Sequence, residues 1–346
     1  MARSPRKCGR RKFSVVVVNW NGKHLLNDCL KSLQLQLFDD FETIVVDNGS
    51  SDGSVEFVRE HYPEVQILAL PRNLGFCGGN NEGIRRSRGD WLVLLNNDTE
   101  VVSGYLSAID QATHLFPQAG MFASKMLLFD SRSIIDNCGF SVSQAGTAQE
   151  IGRNEVDAGQ YKLGFQPFGP SGGAAAYSRK LLDTVGLFDE DFFLIYEDVD
   201  IAMRARLYGF KCYFVPGATV YHKYRMTLAQ MPSWQVSHGQ KNVEYFYLKN
   251  MPAGLIVKYG ALHVLYDVGG FFYFARKGLL RPFLSAKFRV LRNLPLVWRK
   301  RRIIQTNRTV STAELTSLLT GNYVTMKRLR KFLGLSRVPP RQEYGR

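Results

Sequence analysis

The sequence predicts a doubly wound, mixed α/β sheet followed by a helical, basic C-terminal region. Three observations carry this. Apolar runs rich in β-branched residues, each closed by a polar turn, alternate with segments of helical periodicity as far as Leu95. The stretch from 120 to 180 is Gly-rich and irregular, as a mixed sheet with long loops requires. Charge is also partitioned. Residues 256–346 hold 19 Lys and Arg against three acids (Asp267, Glu314, Glu343), whereas residues 13–255 sum to −7. An acidic body with a basic arm is a two-part molecule, and the arm wants an anionic partner.

In chain order, residues 13–19 (FSVVVVN) are apolar on both faces and end in Asn-Trp-Asn-Gly, which reads as a buried parallel strand. Leu25, Leu26, Cys29, Leu30 and Leu33 recur at helical spacing. FETIVVDNGSSDGS supplies a second buried strand, a polar turn and a helix starting near Ser51–Asp52. Residues 65–70 predict a third strand, 78–88 a helix, and 91–95 a fourth strand running into NNDTE. Residues 196–209 predict a helix with Gly209 as its C-cap, and KCYFVPGATVYHKY one or two short strands. From 240 to 303 aromatic residues interleave with basic ones, which fits helices lying in a membrane interface or a helical cap on the body. The cation cluster Arg299, Lys300, Arg301 and Arg302 favours anionic lipid, with Phe271, Phe272 and Phe274 on the buried face.

With 346 residues, 45% hydrophobic and 22% charged, the chain has ample core, and bulk disorder is excluded. No apolar run reaches membrane-spanning length, and the basic N-terminus lacks the apolar stretch of a secretory signal. Five scattered cysteines without a CxxC pair fit a reducing cytosol better than a disulfide framework or a zinc site.

Open parallel sheets bind ligands at the carboxyl ends of their strands. Asp47 and Asp98 each follow an apolar strand, beside Asn19 and Asn21. Singly, such an acid is more often a cap or turn former; two on one sheet are harder to dismiss. There is no GxxxxGK[ST] and no GxGxxG after the first strand, so a bound nucleotide needs a metal against its diphosphate. Residues 75–81 (GFCGGNN) are a weak signal for close ligand approach. Glu197 and Asp198 sit at a helix start, where carboxylates serve as caps or as a general base, and Asp200 faces elsewhere. His222 is a structural His or a metal ligand.

The order VVVVNWNG, IVVDNGSSDGS, NLGFCGGNNEG, LLNNDTEV, GPSGGAAAYSR, FFLIYEDVDIAMRARLYGF and VYHKY resembles the inverting glycosyltransferases of family 2, over residues 13–225. It looks most similar to bacterial rhamnosyltransferase-type enzymes that build O-antigen and other cell-surface glycans. The resemblance implies the GT-A fold, with a basic tail over 1–12, a nucleotide-sugar transferase domain over 13–235 and a helical basic region over 236–346. Asn19, Asn21 and Asp47 would hold the nucleotide; Asn73, Gly75 and Asn81 would line the ribose and diphosphate. The NND triplet stands where the family has DxD: Asp98 would bind Mg²⁺ or Mn²⁺, Asn97 lies beside it on the donor side, and Asn96 replaces the first acid. His222 matches a metal-coordinating His of some relatives. Gly172 and Gly173 would leave room for sugar, Asp198 would be the catalytic base, and Glu197 would stand beside it. The QxxRW motif of the processive synthases is missing, which implies one sugar per acceptor.

The partners implied are a dTDP- or UDP-linked sugar donor, a lipid-linked saccharide acceptor and an anionic membrane surface. No nucleic acid is expected, and the implied location is the cytoplasmic face of the cell membrane. Two rivals stand against this. A nucleotidyltransferase would need a phosphate-gripping loop after the first strand, and NWNGK fits poorly. A non-catalytic module holding membrane or nucleic acid by its basic arm sits badly with Asp98, Asp198 and His222 all being present.

Overall fold

The computed structural model describes residues 11–223 and 231–321. The first ten residues and the basic stretch beyond 321, both part of the sequence-based assignments, lie outside the described residues. Strands β1 (Arg11–Asn19), β2 (Phe41–Asp47), β3 (Gln66–Ala69) and β4 (Gly89–Asn96) are parallel. Helices α1 (Lys23–Gln34), α2 (Ser54–His61) and α3 (Gly75–Arg86) connect them. Four consecutive valines, residues 15–18, explain why β1 is central. Val15 and Val17 enter one core with Leu26 and Leu30, while Val16 enters the core on the other face with Ile44 and Leu94.

Beyond β4 come β5 (Thr99–Val101), α4 (Tyr105–Leu115), β6 (Ala119–Leu128), β7 (Ser131–Asn137), β8 (Phe140–Val142), β9 (Ala148–Glu150) and β10 (Ala174–Ser178). Helix α5 (Arg179–Val185), a 3-10 turn (Glu190–Phe192), α6 (Glu197–Leu207) and β11 (Lys211–His222) complete the α/β body. The sheet runs β3-β2-β1-β4-β10-β6-β11-β5, with β7 on β6. It is mixed, as expected, because β10 runs antiparallel between β4 and β6. The one or two strands expected near 211–224 are a single strand, β11, bulged between Val215 and Thr219. Gly209 adopts φ +83° beyond α6, as its expected capping role demands.

Helices α7 (Pro232–Asn250), α8 (Ala253–Arg276), α9 (Leu280–Arg292), α10 (Leu294–Thr306) and α11 (Thr312–Leu318) form the C-terminal region. The boundaries expected at 12/13 and 235/236 fall inside β1 and α7. These helices pack on the body. His263 joins α8 to Ala145 O (2.8 Å) and to Glu244 of α7 (3.0 Å), and Lys287 of α9 lies 2.6 Å from Asp267. Glu244, His263 and Asp267 converge closely enough to suggest a cation site. The Lys287 ammonium already stands there, so the cluster is a staple. Among the described residues no helix is long and apolar enough to cross a membrane.

Candidate active site

The parallel register lines up polar residues at three adjacent strand ends: Asn19 opposite Asp47, and Val18 opposite Asn96. Asn19 Nδ2 donates to Asp47 Oδ1 (3.2 Å), and Asn97 Nδ2 donates to Asn19 Oδ1 (2.8 Å). The Ser50 N–H donates to Asp47 Oδ2 (2.9 Å). Asn21 adopts φ +50° and accepts the Ser51 N–H at 2.8 Å. Asn19, Asn21, Asp47 and Asn97 therefore share one network at the sheet's carboxyl edge.

The next loop departs from expectation. Asn73 Oδ1 accepts from Asn48 Nδ2 (3.0 Å) and from the Gly75 N–H (2.8 Å), which closes the turn before α3. Asn81 is buried, and both ends of its amide bond to residues 188–190. It pins the loop before α6 and has no free face for a ribose, so its expected donor role is corrected. Gly75 (φ +73°) is required because a Cβ would stand 2.5 Å from Phe193 O; a ligand need not be invoked.

The metal-binding candidates do meet. His222 Nε2 lies 3.4 Å from Asp98 Oδ1, and Nδ1 lies 2.8 Å from Asp136 Oδ2. Burial lowers the imidazole pKa, but hydrogen bonds to Asp136 and Asp98 outweigh it and push it up to about 9. Asp98 Oδ1 is buried and makes no hydrogen bond of good geometry. The Asp98 carboxylate and the imidazole nitrogen facing it make a donor set that fits a divalent cation once the cation takes the place of that nitrogen's proton. Asp136, itself tied to Arg153 at 2.5 Å, fixes the ring. Nothing local in the sequence points to Asp136, since IIDNCGF matches no motif.

The base candidate is tied to the same strand end by backbone hydrogen bonds. Asp198 Oδ2 accepts the Gly172 N–H at 3.0 Å, and Oδ1 accepts the Val199 N–H at 2.8 Å. Gly173 O accepts the Asn96 N–H at 3.0 Å, so residues 172–173 bridge the base to the strand end carrying Asp98. A Cβ on Gly172 would stand 3.2 Å from Phe76 and 3.5 Å from Asp198, which fits a space kept open for a ligand. Burial pushes both carboxyls up, Glu197 well above its ordinary value because Asp198 adds to it. A helix N-terminus favours an ionised carboxylate. Backbone donors do pull that way, but desolvation outweighs them. Burial and the neighbouring Asp198 push Glu197 up, whereas backbone N–H donors from Gly172 and Val199 pull Asp198 back against its own desolvation. Asp200 faces away, paired with Arg204 at 2.9 Å and Lys249 at 2.7 Å, as expected.

The segment before the base is strained. Phe193 (φ 64°, ψ −59°) is a γ-turn, with the Leu194 N–H donating to Phe192 O at 2.8 Å. Ile195 (φ 74°) and Tyr196 (φ 75°) also lie in the left-handed region. Each such residue costs roughly 1–3 kcal/mol and persists only where its surroundings over-determine it.

Comparisons with known proteins agree with this geometry. The model of glycosyl transferase family 2 matches residues 14–111, and that of glycosyl transferase family group 2 matches residues 91–294. An N-acetylglucosaminyl-diphospho-decaprenol L-rhamnosyltransferase of Mycobacterium tuberculosis is 25% identical over 262 residues, covering 69% of this chain and 85% of the relative. A GalNAc(5)-diNAcBac-PP-undecaprenol beta-1,3-glucosyltransferase of Campylobacter jejuni is 33% identical over 104 residues, covering 29% of this chain and 34% of the relative. Among solved structures, GalNAc-T7 with UDP, GalNAc and Mn²⁺ superposes with TM-score 0.60 at 17% identity, over 76% of this chain and 51% of that one. The mannosyltransferase PcManGT of Pyrobaculum calidifontis, with GDP-Man and Mn²⁺, gives 0.51 at 14% identity, over 96% and 89%. The sheet is thus of the GT-A type, and the nucleotidyltransferase alternative falls away. Matched across both its strand-end half and its base-bearing half, the chain is a glycosyltransferase and belongs to glycosyltransferase family 2.

Proposed function

We propose that this enzyme moves one sugar, a rhamnose-like deoxysugar, with inversion from a dTDP- or UDP-linked donor to a hydroxyl of a lipid-linked saccharide during cell-surface polysaccharide synthesis. The observation that carries this is the chain of short contacts that links Asp198, through Gly172 and Gly173, to the strand end from which Asp98 meets His222. The names of the Mycobacterium and Campylobacter relatives support the lipid-linked acceptor, and the former supports rhamnose.

The chemistry follows from the residues. The Asp198 carboxylate takes the proton of the acceptor hydroxyl as that oxygen attacks the anomeric carbon. The bond from that carbon to the diphosphate breaks on the opposite face and its electron pair leaves with the nucleotide, so one displacement inverts the centre. Asn19, Asn21, Asp47 and Asn97 border the nucleotide. Asp98 and His222 would hold a divalent cation, Mg²⁺ or Mn²⁺, which when bound would screen the charge on the leaving diphosphate. The Gly172 N–H holds Asp198 towards the sugar pocket.

The acceptor reading agrees with the outer face of the C-terminal helices. Val257, Val264, Val268, Phe271 and Phe272 form an exposed stripe on α8; Leu284, Phe288 and Leu291 form one on α9. Arg276, Lys277, Arg281, Arg292, Arg299 and Arg302 are exposed around them. Apolar stripes ringed by cations suit peripheral binding to the anionic inner face of the cell membrane. Three expected contributors are corrected. Phe274 packs on Phe283 at 5.6 Å, Lys300 pairs with Asp189 and Asp191, and Arg301 bonds Leu248 O and Met251 O.

A panel of dTDP- and UDP-sugars, dTDP-rhamnose included, scored by nucleotide release with and without Mn²⁺, tests the reading. Release from one donor only when metal is present is the expected result. Release from none, with no nucleotide binding by calorimetry, refutes it.

A further inference from the structure

The segment from Phe192 to Tyr196 carries Asp198 at its end and holds three non-glycine residues at positive φ. Its carbonyls are gripped one by one. The Cys77 N–H, from the first turn of α3, donates to Phe193 O at 3.1 Å. Asn242 Nδ2, from α7, lies 3.0 Å from Phe192 O, 2.9 Å from Leu194 O and 2.6 Å from Ile195 O. Two amide hydrogens are thereby shared among three carbonyls, and the Asn242 side chain is wholly buried. The Tyr196 hydroxyl accepts the Ala148 N–H at 2.6 Å, and the Asp200 N–H donates to Tyr196 O at 3.0 Å. Among the described residues, Asn242 is the side chain seen to bond three of these carbonyls from outside the segment. A γ-turn followed by two left-handed residues would relax towards ordinary backbone if released, and the base would turn with it.

We propose that Asn242 is a positioning residue for catalysis: its amide clamps the strained 192–196 segment so that Asp198 faces the sugar pocket. The proposal goes beyond the assigned reaction and rests on the reading of Asp198 as base. It makes α7 part of the catalytic apparatus, acting through the segment and not by touching substrate. The same segment meets α3 at Cys77, so the clamp also fixes the base-bearing segment against that helix.

The test uses the full chain with Asn242→Ala, and Tyr196→Phe as a milder release that keeps the ring on Phe246. Amide hydrogen exchange at Leu194 and Cys77 is expected to quicken by at least about tenfold in Asn242→Ala, with Val17 and Val45 in the sheet unchanged. At saturating levels of the donor that the wild type cleaves, kcat is expected to fall on the order of 10–100-fold, as displacement by about 1 Å allows. UDP and dTDP affinity should stay within about twofold, and the acid limb of the pH profile should move, neither of which general loosening would produce. Tyr196→Phe should shift kcat the same way, by less. Unchanged exchange in the segment overturns the clamp. A loosened segment with full kcat overturns the positioning role. If no donor is cleaved by the wild type, the exchange result still decides the clamp, and the assigned reaction fails separately.

Discussion

Replacing Asp198 by Asn separates catalysis from folding, because the structure moves the two in different directions. The amide oxygen can still accept one of the two backbone N–H groups that Asp198 binds, Gly172 at 3.0 Å or Val199 at 2.8 Å. The lost bond costs about 1–3 kcal/mol as a hydrogen bond to a charged group. Against that stands desolvation. The carboxyl is pushed above its ordinary value, so its ionised form is stabilised less in the folded protein than in the unfolded chain. That penalty is present above the folded pKa and vanishes as pH falls below the unfolded one, so at pH 7 a neutral amide removes it. The two effects offset, and stability by denaturant unfolding should change by less than about 1.5 kcal/mol. Loss of the general base should lower kcat by about 10²–10⁴, equal to roughly 3–5.5 kcal/mol of barrier. Nucleotide affinity with Mn²⁺, by calorimetry, should stay near wild type. Turnover within threefold of wild type would refute the base assignment. A stability loss above about 3 kcal/mol would show that activity failed through unfolding.

Three further outcomes are expected. Asp98→Ala should abolish Mn²⁺-dependent tightening of UDP or dTDP while leaving metal-free nucleotide binding intact; calorimetry that still shows the tightening removes Asp98 from the metal site. Asp189→Asn should destabilise by about 3 kcal/mol at pH 7, the low end for a broken buried pair, because Lys249 keeps Asp200 and Lys300 keeps Asp191. Lys249 and Lys300 hold Asp189 below its ordinary 3.8, so this gap should be full above that value and close as pH falls beneath it; equal gaps at pH 7 and at strongly acid pH would contradict it. Phe271→Ser with Phe272→Ser should lower flotation with anionic vesicles several-fold while donor cleavage in solution is retained, and undiminished flotation would sink the proposed face.

What the sequence disclosed depended on how local the cause was. β1, β2 and β4 are legible because three or four successive apolar residues serve two cores at once. The site acids are legible because they follow those strands directly. The start of α3 at Gly75 was hidden: its glycines are poor helix formers, and tertiary packing overrides them, with Gly79 set against Val18. Asp136 and Asn242 were invisible for another reason. Their roles exist only through partners far along the chain, His222 and residues 192–195, and neither stands in a recognisable pattern. Asn81 misled because motif position says nothing of which way an amide faces.

The partition of charge also changes meaning in three dimensions. Read along the chain, the basic C-terminal region is one arm seeking one anion. In the fold its cations have two destinations. Lys249 and Lys300 turn inward to Asp189 and Asp191, beside the segment that carries the base, and Arg301 caps the carbonyls at the end of α7. Lys287 does the same for Glu244 and Asp267. The acidic body is therefore partly neutralised by the region meant to leave it, and α7 cannot be cut away without exposing Asp189, the 192–196 carbonyls and Phe192 together. Among the described residues, the cations of the outer face are the ones left for the proposed membrane contact. A transferase whose base segment is held by α7, with the proposed membrane face on the α8 and α9 that pack against it, would bind lipid and donor on one frame, which is what bringing a lipid-linked hydroxyl to a fixed carboxylate requires.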